Sequence, residues 1–284
     1  PGPPSHLTAR FVPYQPAKDL GGGVVLDNRS GANGVLATQQ LLAAPADGHT
    51  VLLTASGLYA NPALYKNLQY DPARDYRIVA PLNETFFVLV AAPNFPVDNV
   101  KQLVEQAKKQ PNEVTYASAS VGSSTHLGPE LFASRAGIKL RHIPYKGGAQ
   151  AIADTAGGQV NIAMTAVPTA VPLIRAGKLK PLAVTGLHRS GLLPDTPTLA
   201  ESGISGAEIT SKQAIVVLPG TPDAAVTKLR AALTKITAMP EYAKFLEMQG
   251  LEKESVPLDA YLKIGPQELQ RWTEMVRLSG AKLE

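Results

Sequence analysis

The sequence predicts an α/β fold with two lobes, built from mainly parallel sheets flanked by helices. Apolar β-like runs alternate with amphipathic helical runs almost throughout, which is typical of βαβ units. The 284 residues are 44% hydrophobic, enough for two domains with a sizeable core. Twice, at 51–57 and 114–125, a β-like run ends in a Ser/Gly/Thr loop that opens a helix.

The individual elements follow from the spacing of apolar residues. Strands are predicted at 23–27, 50–54, 77–83, 86–91, 113–117, 140–143, 162–165, 182–185 and 214–218. Helices are predicted at 34–43, 99–110, 125–136, 149–156, 167–176, 222–237, 240–248, 258–262 and 266–279. The helix at 99–110 is typical, because Val100, Leu103 and Ala107 recur at helical spacing.

Two crossovers divide the chain into lobes. The segment 93–98 is typical of a crossover between domains, and a return crossover is expected near 210–214. The first lobe is then residues 1–97 with 215–284, and the second is residues 98–214. Ligands bind beyond the carboxyl ends of strands in open α/β sheets, so a ligand cleft is expected between the lobes.

Composition excludes several classes of protein. The net charge is +4 with scattered Lys and Arg, which excludes the clustered basic stripe of a nucleic-acid surface. The chain has no cysteine, which excludes disulfides, thiolate metal sites and a cysteine nucleophile. No apolar run approaches the about 20 residues that span a membrane. Because no basic-then-apolar leader is present, we expect a signal peptide to have been removed.

The loop 118–125 carries the strongest candidates for ligand contact. A Ser or Thr at a helix start often only caps backbone N–H groups, but capping accounts for one hydroxyl and this loop offers five. Hydroxyls and free N–H groups at the positive end of a helix form an anion site. The candidates are Ser118, Ser120, Ser123, Ser124 and Thr125.

Other strand ends supply further candidates for ligand contact. They are Ser56, Gly57, Tyr59, Gly147, Gly148, Thr165 and Ala166. Glycine allows a ligand to approach the backbone closely. Arg29 is a weaker candidate for a carboxylate clamp, since it lies in a turn-like segment, and Lys146 is expected to be exposed.

A metal site and a catalytic centre are the alternatives to a binding site. His126 and Glu130 have the i,i+4 spacing that suits a metal, but no third ligand is evident, so His126 is expected to pack or hydrogen-bond beneath the loop. The five histidines are scattered and form no recognisable catalytic set. Nucleophile-elbow, P-loop and dinucleotide motifs are missing from the sequence. No metal or cofactor is expected, and a hydrolase of small esters or amides is the alternative function.

Short motifs along most of the chain also carry a family pattern. Examples are GSSTHL at 122–127 and IPYKGG at 143–148. Others lie at 27–34, 46–53, 61–65, 70–72, 116–118, 157–160, 176–185, 193–198 and 219–222. Through them the chain resembles the periplasmic solute-binding proteins of tripartite tricarboxylate transporters, the Bordetella-uptake-type receptors.

The resemblance implies a Venus-flytrap fold, the two-lobed fold of periplasmic binding proteins, with no enzyme activity. It implies a receptor, expected to be a monomer, that captures an organic acid in the periplasm and delivers it to a membrane permease. Family cargoes include di- and tricarboxylates, acidic amino acids and aromatic acids. One carboxylate is expected on the second-lobe loop, with lobe closure bringing the Ser56–Gly57 loop onto the other end.

Three departures from the family pattern bear on the cargo. Between Tyr14 and Gln15 a stretch of the pattern has no counterpart, through either a deletion or a segment absent from the numbering. Thr165 stands where the family often has an acidic residue, and the loss of that residue argues against an amino-acid cargo. Lys212 stands where the family often has an aromatic residue, so it either supplies a cation to a second carboxylate or is exposed to solvent.

Overall fold

The computed structural model describes residues 8, 23–29, 32–254 and 256–283, and over these residues it confirms the α/β class. The strands are β1 Leu52–Ala55, β2 Arg77–Ala91, β3 Thr115–Ser118, β4 Arg141–Pro144, β5 Ile162–Ala166, β6 Lys180–Val184, β7 Thr210–Val217 and β8 Glu252–Lys253. The α-helices are α1 Val35–Leu42, α2 Asn61–Leu64, α3 Val100–Lys109, α4 Ser124–Ala136, α5 Gly148–Ala156, α6 Val167–Arg175, α7 Asp223–Thr237, α8 Pro240–Gln249, α9 Leu258–Tyr261 and α10 Gly265–Ser279. None of these helices is long and apolar enough to cross a membrane.

Most predicted elements are confirmed to within a few residues, but the strand predicted at 23–27 is wrong. Val24, Val25 and Leu26 are exposed, so this segment lacks the buried face that would hold it in a sheet. The strands predicted at 77–83 and 86–91 form the single strand β2, because the polar residues between them are buried. The junction between Tyr14 and Gln15 lies outside the described residues.

By its internal contacts the chain divides into two compact units. The first takes the described residues up to Pro62, Asn67–Glu84 and Ser211–Trp272. The second takes Ala63–Lys66, Thr85–Thr210 and the residues from Thr273 onward. The predicted lobe boundaries stay a prediction.

In the first unit, helices pack on antiparallel strands. β1 pairs with β7, and the first half of β2 pairs with β8. On α7 the buried residues Val226, Leu233 and Ile236 recur at helical spacing and join a core with Leu82 of β2 and Val217 of β7. This packing forms the core of the unit.

The second unit has a mixed sheet in the order β6–β2–β5–β3–β4. β3 is parallel to β4 and β5, whereas the second half of β2 is antiparallel to β5 and β6. The sheet is therefore mixed rather than purely parallel.

Both faces of this second sheet are covered by helices. Along β2, Leu89 and Ala91 join one core, with α3 and α4, while Val88 and Val90 join the other, with α5 and α6. This alternation follows from the two-residue period of a strand. It explains why the second half of β2 is a nearly continuous apolar run.

Candidate functional site

Three loops meet at one edge of the second unit's sheet. The parallel strands β3, β4 and β5 end there, with Ser118 paired to Pro144 and Ala117 to Ala163. Helices α4 and α5 begin after the loops that follow β3 and β4, and α6 begins directly after the last residue of β5. Their N-terminal ends, which carry a partial positive charge, are therefore gathered at one edge.

Ser118 is fully buried at the end of β3 and supports the loop. Its Oγ lies 2.6 Å from Nε2 of His142 on the neighbouring strand β4. The same hydroxyl lies 3.3 Å from the carbonyl oxygen of Ser120. The predicted ligand contact of Ser118 stays a prediction, and these bonds give the residue a structural role as well.

The loop 118–125 is closed by its own hydrogen bonds. The Ser123 hydroxyl donates to the carbonyl oxygen of Ser120 at 2.7 Å and lies 2.8 Å from Oγ1 of Thr125. Oγ1 of Thr125 accepts the Ala119 N–H at 2.9 Å. Together with Ser118, three of the five candidate hydroxyls therefore hold the loop in shape.

Two other hydroxyls and two N–H groups of this loop remain available. Within the described residues, the hydroxyls of Ser120 and Ser124 have no hydrogen-bond partner, and the N–H groups of Ser124 and Thr125 have no acceptor. The first N–H groups of a helix have no intrahelical acceptor. They are therefore free to bind an anion at this end of α4.

His126 and His142 stack beneath the loop, although the sequence shows no sign of this pairing. Their ring centroids lie 4.0 Å apart with planes 13° apart, and the Tyr116 ring lies 4.8 Å from that of His142. Nδ1 of His126 accepts the Gly122 N–H at 3.1 Å, which confirms the expectation that His126 supports the loop. The two rings are brought together although they are distant in sequence, but stacking does not make them a catalytic set.

The contact between Ser118 and His142 does not make a hydrolase. A serine nucleophile needs an exposed hydroxyl and a base that a third group orients. Ser118 is buried, and in the described part of the chain His142 is flanked by two rings rather than by a carboxylate. The described residues also contain no cluster of side chains that could hold a metal ion.

The other two loops of this edge add backbone and hydroxyl groups. Gly147, with φ at 151°, precedes α5, and a Cβ on Gly148 would lie 3.8 Å from the Ala119 side chain, so this turn reaches the first loop. Thr165 and Ala166 end β5 and are half-buried. The geometry thus brings together all the candidates predicted in the second lobe.

Gly122 holds a backbone conformation that favours glycine. Its φ is +78°, and a Cβ would lie 2.9 Å from Cδ1 of Leu64. We expect Gly122→Ala to lower the free energy of unfolding by about 1–3 kcal/mol, because strain and overpacking add. Urea unfolding measures this effect.

Gly137→Ala is the matched control for Gly122→Ala. Gly137 also has positive φ, at +63°, but nothing lies within 4 Å of its Cβ position. It therefore reports backbone strain alone. Equal losses of stability in the two variants would contradict the contact argument.

In the first unit, Ser56 and Tyr59 are buried in a short 3-10 helix after β1. Oγ of Ser56 accepts the backbone N–H of Lys212 at 3.1 Å. Burial and then the Glu268 carboxylate raise the pKa of Tyr59 to about 12. Both side chains line a cavity of about 20 Å³ inside this unit. Gly57, by contrast, has nothing within 4 Å of its Cβ position.

Lys212 belongs to a buried ion cluster, which sequence reasoning missed. Its Nζ lies 3.3 Å from a carboxylate oxygen of Glu84 and 3.1 Å from one of Glu254. Burial alone would lower the pKa of Lys212, but the two carboxylates outweigh it and the pKa is raised. Of the two alternatives for Lys212, exposure to solvent is wrong, because its side chain is 12% exposed. Its charge is matched by two carboxylates within the first unit.

Arg29 is also engaged within the chain. Its Nε donates to the Asp27 carboxylate at 2.9 Å, and both side chains are more than half exposed. Lys146 is exposed as expected. Neither of these two cations is buried.

Comparison with known proteins adds independent findings. The profile of the tripartite tricarboxylate transporter family receptor matches residues 8–280. Protein BugT of Bordetella pertussis is 32% identical over 286 residues, covering 100% of this chain and 88% of BugT. The structure of R. palustris Rpa4515 with adipate has a TM-score of 0.83 at 30% identity, covering 100% of this chain and 96% of that chain. MatC (Rpa3494) from Rhodopseudomonas palustris with bound malate has a TM-score of 0.80 at 27% identity, covering 97% of this chain and 95% of that chain.

Proposed function

This chain belongs to the tripartite tricarboxylate transporter receptor family, and we propose that its cargo is a small organic carboxylate, either a di- or tricarboxylate or an aromatic carboxylate. It has the role of a transport receptor, and receptors of this family and fold are periplasmic and non-enzymatic. The proposal includes capture in the periplasm, a monomeric receptor and delivery to a membrane permease.

The observation that carries the proposal is the polar edge where α4, α5 and α6 begin. It offers the free N–H groups of Ser124 and Thr125 and the free hydroxyls of Ser120 and Ser124. The Thr165 hydroxyl is likewise without a partner in the described part of the chain. None of the three loops contains Asp or Glu, so the edge suits a carboxylate and provides no negative charge to pair with an ammonium group.

The relatives support a cargo with more than one carboxylate. Adipate and malate, which are bound in two of the similar structures, are both dicarboxylates. In our proposal the edge of the second lobe, residues 98–214, binds one carboxylate. The first lobe, residues 1–97 with 215–284, binds the other end through Ser56, Gly57 and Tyr59. The open space at the Gly57 backbone supports this assignment.

Screening candidate cargoes by thermal shift is the direct test. The set comprises adipate, malate, citrate, glutamate and benzoate, followed by calorimetry on those that stabilise the protein. A true ligand raises the unfolding temperature by mass action. Stabilisation by a carboxylate supports the proposal, and the absence of any shift with every carboxylate would overturn it.

Replacing Ser123 and Ser124 together by alanine is expected to weaken cargo binding by about tenfold or more. A hydrogen bond to a charged group contributes about 1.5–3 kcal/mol, and the double change removes a free hydroxyl and loosens the loop. Calorimetry with the carboxylate that emerges from the screen measures the loss. Ser134→Ala, at an exposed position near the other end of α4, is the matched control. Unchanged affinity in the double variant would count against the site.

A further inference from the structure

We propose that His126 is a positioning residue for the loop 118–125, acting as a neutral hydrogen-bond acceptor backed by the His142 ring. The inference rests on the proposed function, because it takes this loop as the carboxylate site. It assigns a role to a buried histidine whose ring is hydrogen-bonded to the Gly122 N–H rather than to the free hydroxyls or N–H groups.

The first support is the bond at the turn of the loop. The Gly122 N–H donates to Nδ1 of His126 at 3.1 Å, and Gly122 has the positive φ that turns the chain. His126 lies in the first turn of α4 and is 4% exposed. The His126 ring therefore connects the turn of the loop at Gly122 to α4, the helix that supplies the free N–H groups.

The second support is the connection to the start of the loop. The His142 ring stacks on His126 at 4.0 Å, and Nε2 of His142 lies 2.6 Å from Oγ of Ser118. The stacked pair thus contacts the loop both at Ser118, where it begins, and at Gly122, where it turns. Such contacts from a buried pair of side chains hold a binding loop in one conformation before its ligand binds.

The surroundings keep the His126 ring uncharged. Burial, then the neighbouring His142, lowers the pKa of His126 to about 4, and burial lowers the pKa of His142. Among the described residues, the titratable groups beside the pair are Tyr116 of β3 and Glu130 of α4, and the Tyr116 hydroxyl donates to the Glu130 carboxylate. Leu64 and Leu283, which lie beside Gly122, carry no charge.

Protonation would reverse the role of Nδ1. A proton on that atom turns the acceptor into a donor that faces the Gly122 N–H, so the bond cannot form. The loop should therefore keep its conformation while His126 is neutral and lose the hydrogen bond from the Gly122 N–H once His126 is protonated. This dependence separates a positioning role from simple packing.

The experiment compares His126→Asn and His126→Leu with the wild type. Asn can place an oxygen acceptor close to the position of Nδ1, whereas Leu fills space without an acceptor. Hydrogen-exchange protection of the Gly122 amide is followed by NMR from pH 7 down to pH 3.5, without cargo. Binding of adipate and malate is measured at pH 7. His49→Leu, whose side chain is 90% exposed in the wild type, is the matched control.

The wild type should protect the Gly122 amide at pH 7 and lose that protection as the pH falls through about 4, the pKa of His126. His126→Asn should protect the Gly122 amide over the whole pH range and bind adipate and malate within about threefold of the wild type. His126→Leu should lose the protection of this amide and bind these ligands about tenfold more weakly. Full protection in His126→Leu, or wild-type affinity in that variant, would overturn the proposal. If the wild type binds neither adipate nor malate, the proposed cargo class is weakened, but the amide measurement still decides whether His126 holds the loop.

Discussion

Replacing Lys212 by methionine is expected to lower the free energy of unfolding by about 3–5 kcal/mol, because it removes the ammonium group that pairs with two buried carboxylates. The side chains of Glu84 and Glu254 are 5% and 3% exposed, so water cannot take the place of the ammonium group. Methionine has a similar length, and the bond from the Lys212 backbone N–H to Ser56 is retained. Urea unfolding at pH 7 measures the loss.

Lys180→Met is the matched control for this prediction. Nζ of Lys180 lies 2.9 Å from Asp98, but the Asp98 side chain is 73% exposed and remains solvated when the lysine is lost. An exposed ion pair contributes about 1 kcal/mol or less. If Lys212→Met costs no more than Lys180→Met, the buried cluster does not stabilise the first unit as argued.

The same cluster predicts a dependence on pH. The folded-state pKa of Lys212 is raised above its ordinary value. The contribution of Lys212 to stability is therefore fully present below its ordinary pKa and is lost as the pH rises through the raised value. The difference in stability between Lys212→Met and the wild type, measured by urea unfolding, should shrink over that alkaline range.

Local patterns made the fold and the loops predictable. Helix α3 is predictable because its apolar residues recur at helical spacing, and its Asn99 cap accepts the Gln102 N–H as expected of a helix start. The loop 118–125 is predictable because a Ser-rich junction between a strand and a helix lies within one short segment. These signals depend only on neighbours in the chain.

Contacts that depend on pairing between distant segments could not be predicted. His126 and His142 meet only because β3 and β4 pair side by side, which places His142 opposite Tyr116. Lys212 is 128 residues from Glu84, and no spacing rule links the two positions. The sequence therefore predicted the groups that a carboxylate would meet, but neither the stacked rings beneath them nor the buried cluster.

The same reasoning explains why β2 looked like two strands. Asn83, Glu84 and Thr85 interrupt its apolar pattern, yet all three are buried. The amide of Asn83 donates to the Tyr242 hydroxyl at 3.1 Å, and Glu84 pairs with Lys212. Polar residues can continue a buried strand when distant segments supply partners, as they do for the Asn83 amide nitrogen and the Glu84 carboxylate, and the sequence does not reveal those partners. Among the described residues, Oδ1 of Asn83 and Oγ1 of Thr85 have no hydrogen-bond partner.

Phe132→Ala is expected to lower the free energy of unfolding by about 3–5 kcal/mol, since it removes a large buried ring and leaves a cavity. Phe132 is 0% exposed on α4 and lies in the same core as Leu89, Leu103 and Tyr116. Phe132→Leu, which keeps most of the volume, should cost clearly less. Denaturant unfolding of the two variants measures the difference.

This variant also separates stability from binding. Phe132 lies two turns along α4 from Thr125, and the loop at the start of α4 is held by its own bonds, from Ser123 to Ser120, from Ala119 to Thr125 and from Gly122 to His126. Under conditions where Phe132→Ala remains folded, its affinity for the carboxylate from the screen should therefore be within about threefold of the wild-type affinity. The double variant Ser123→Ala with Ser124→Ala should lose about tenfold or more in affinity. Phe132→Ala could instead lose as much affinity as the double variant. That result would show that core packing keeps the donors in place, rather than the loop's own hydrogen bonds and the histidine pair.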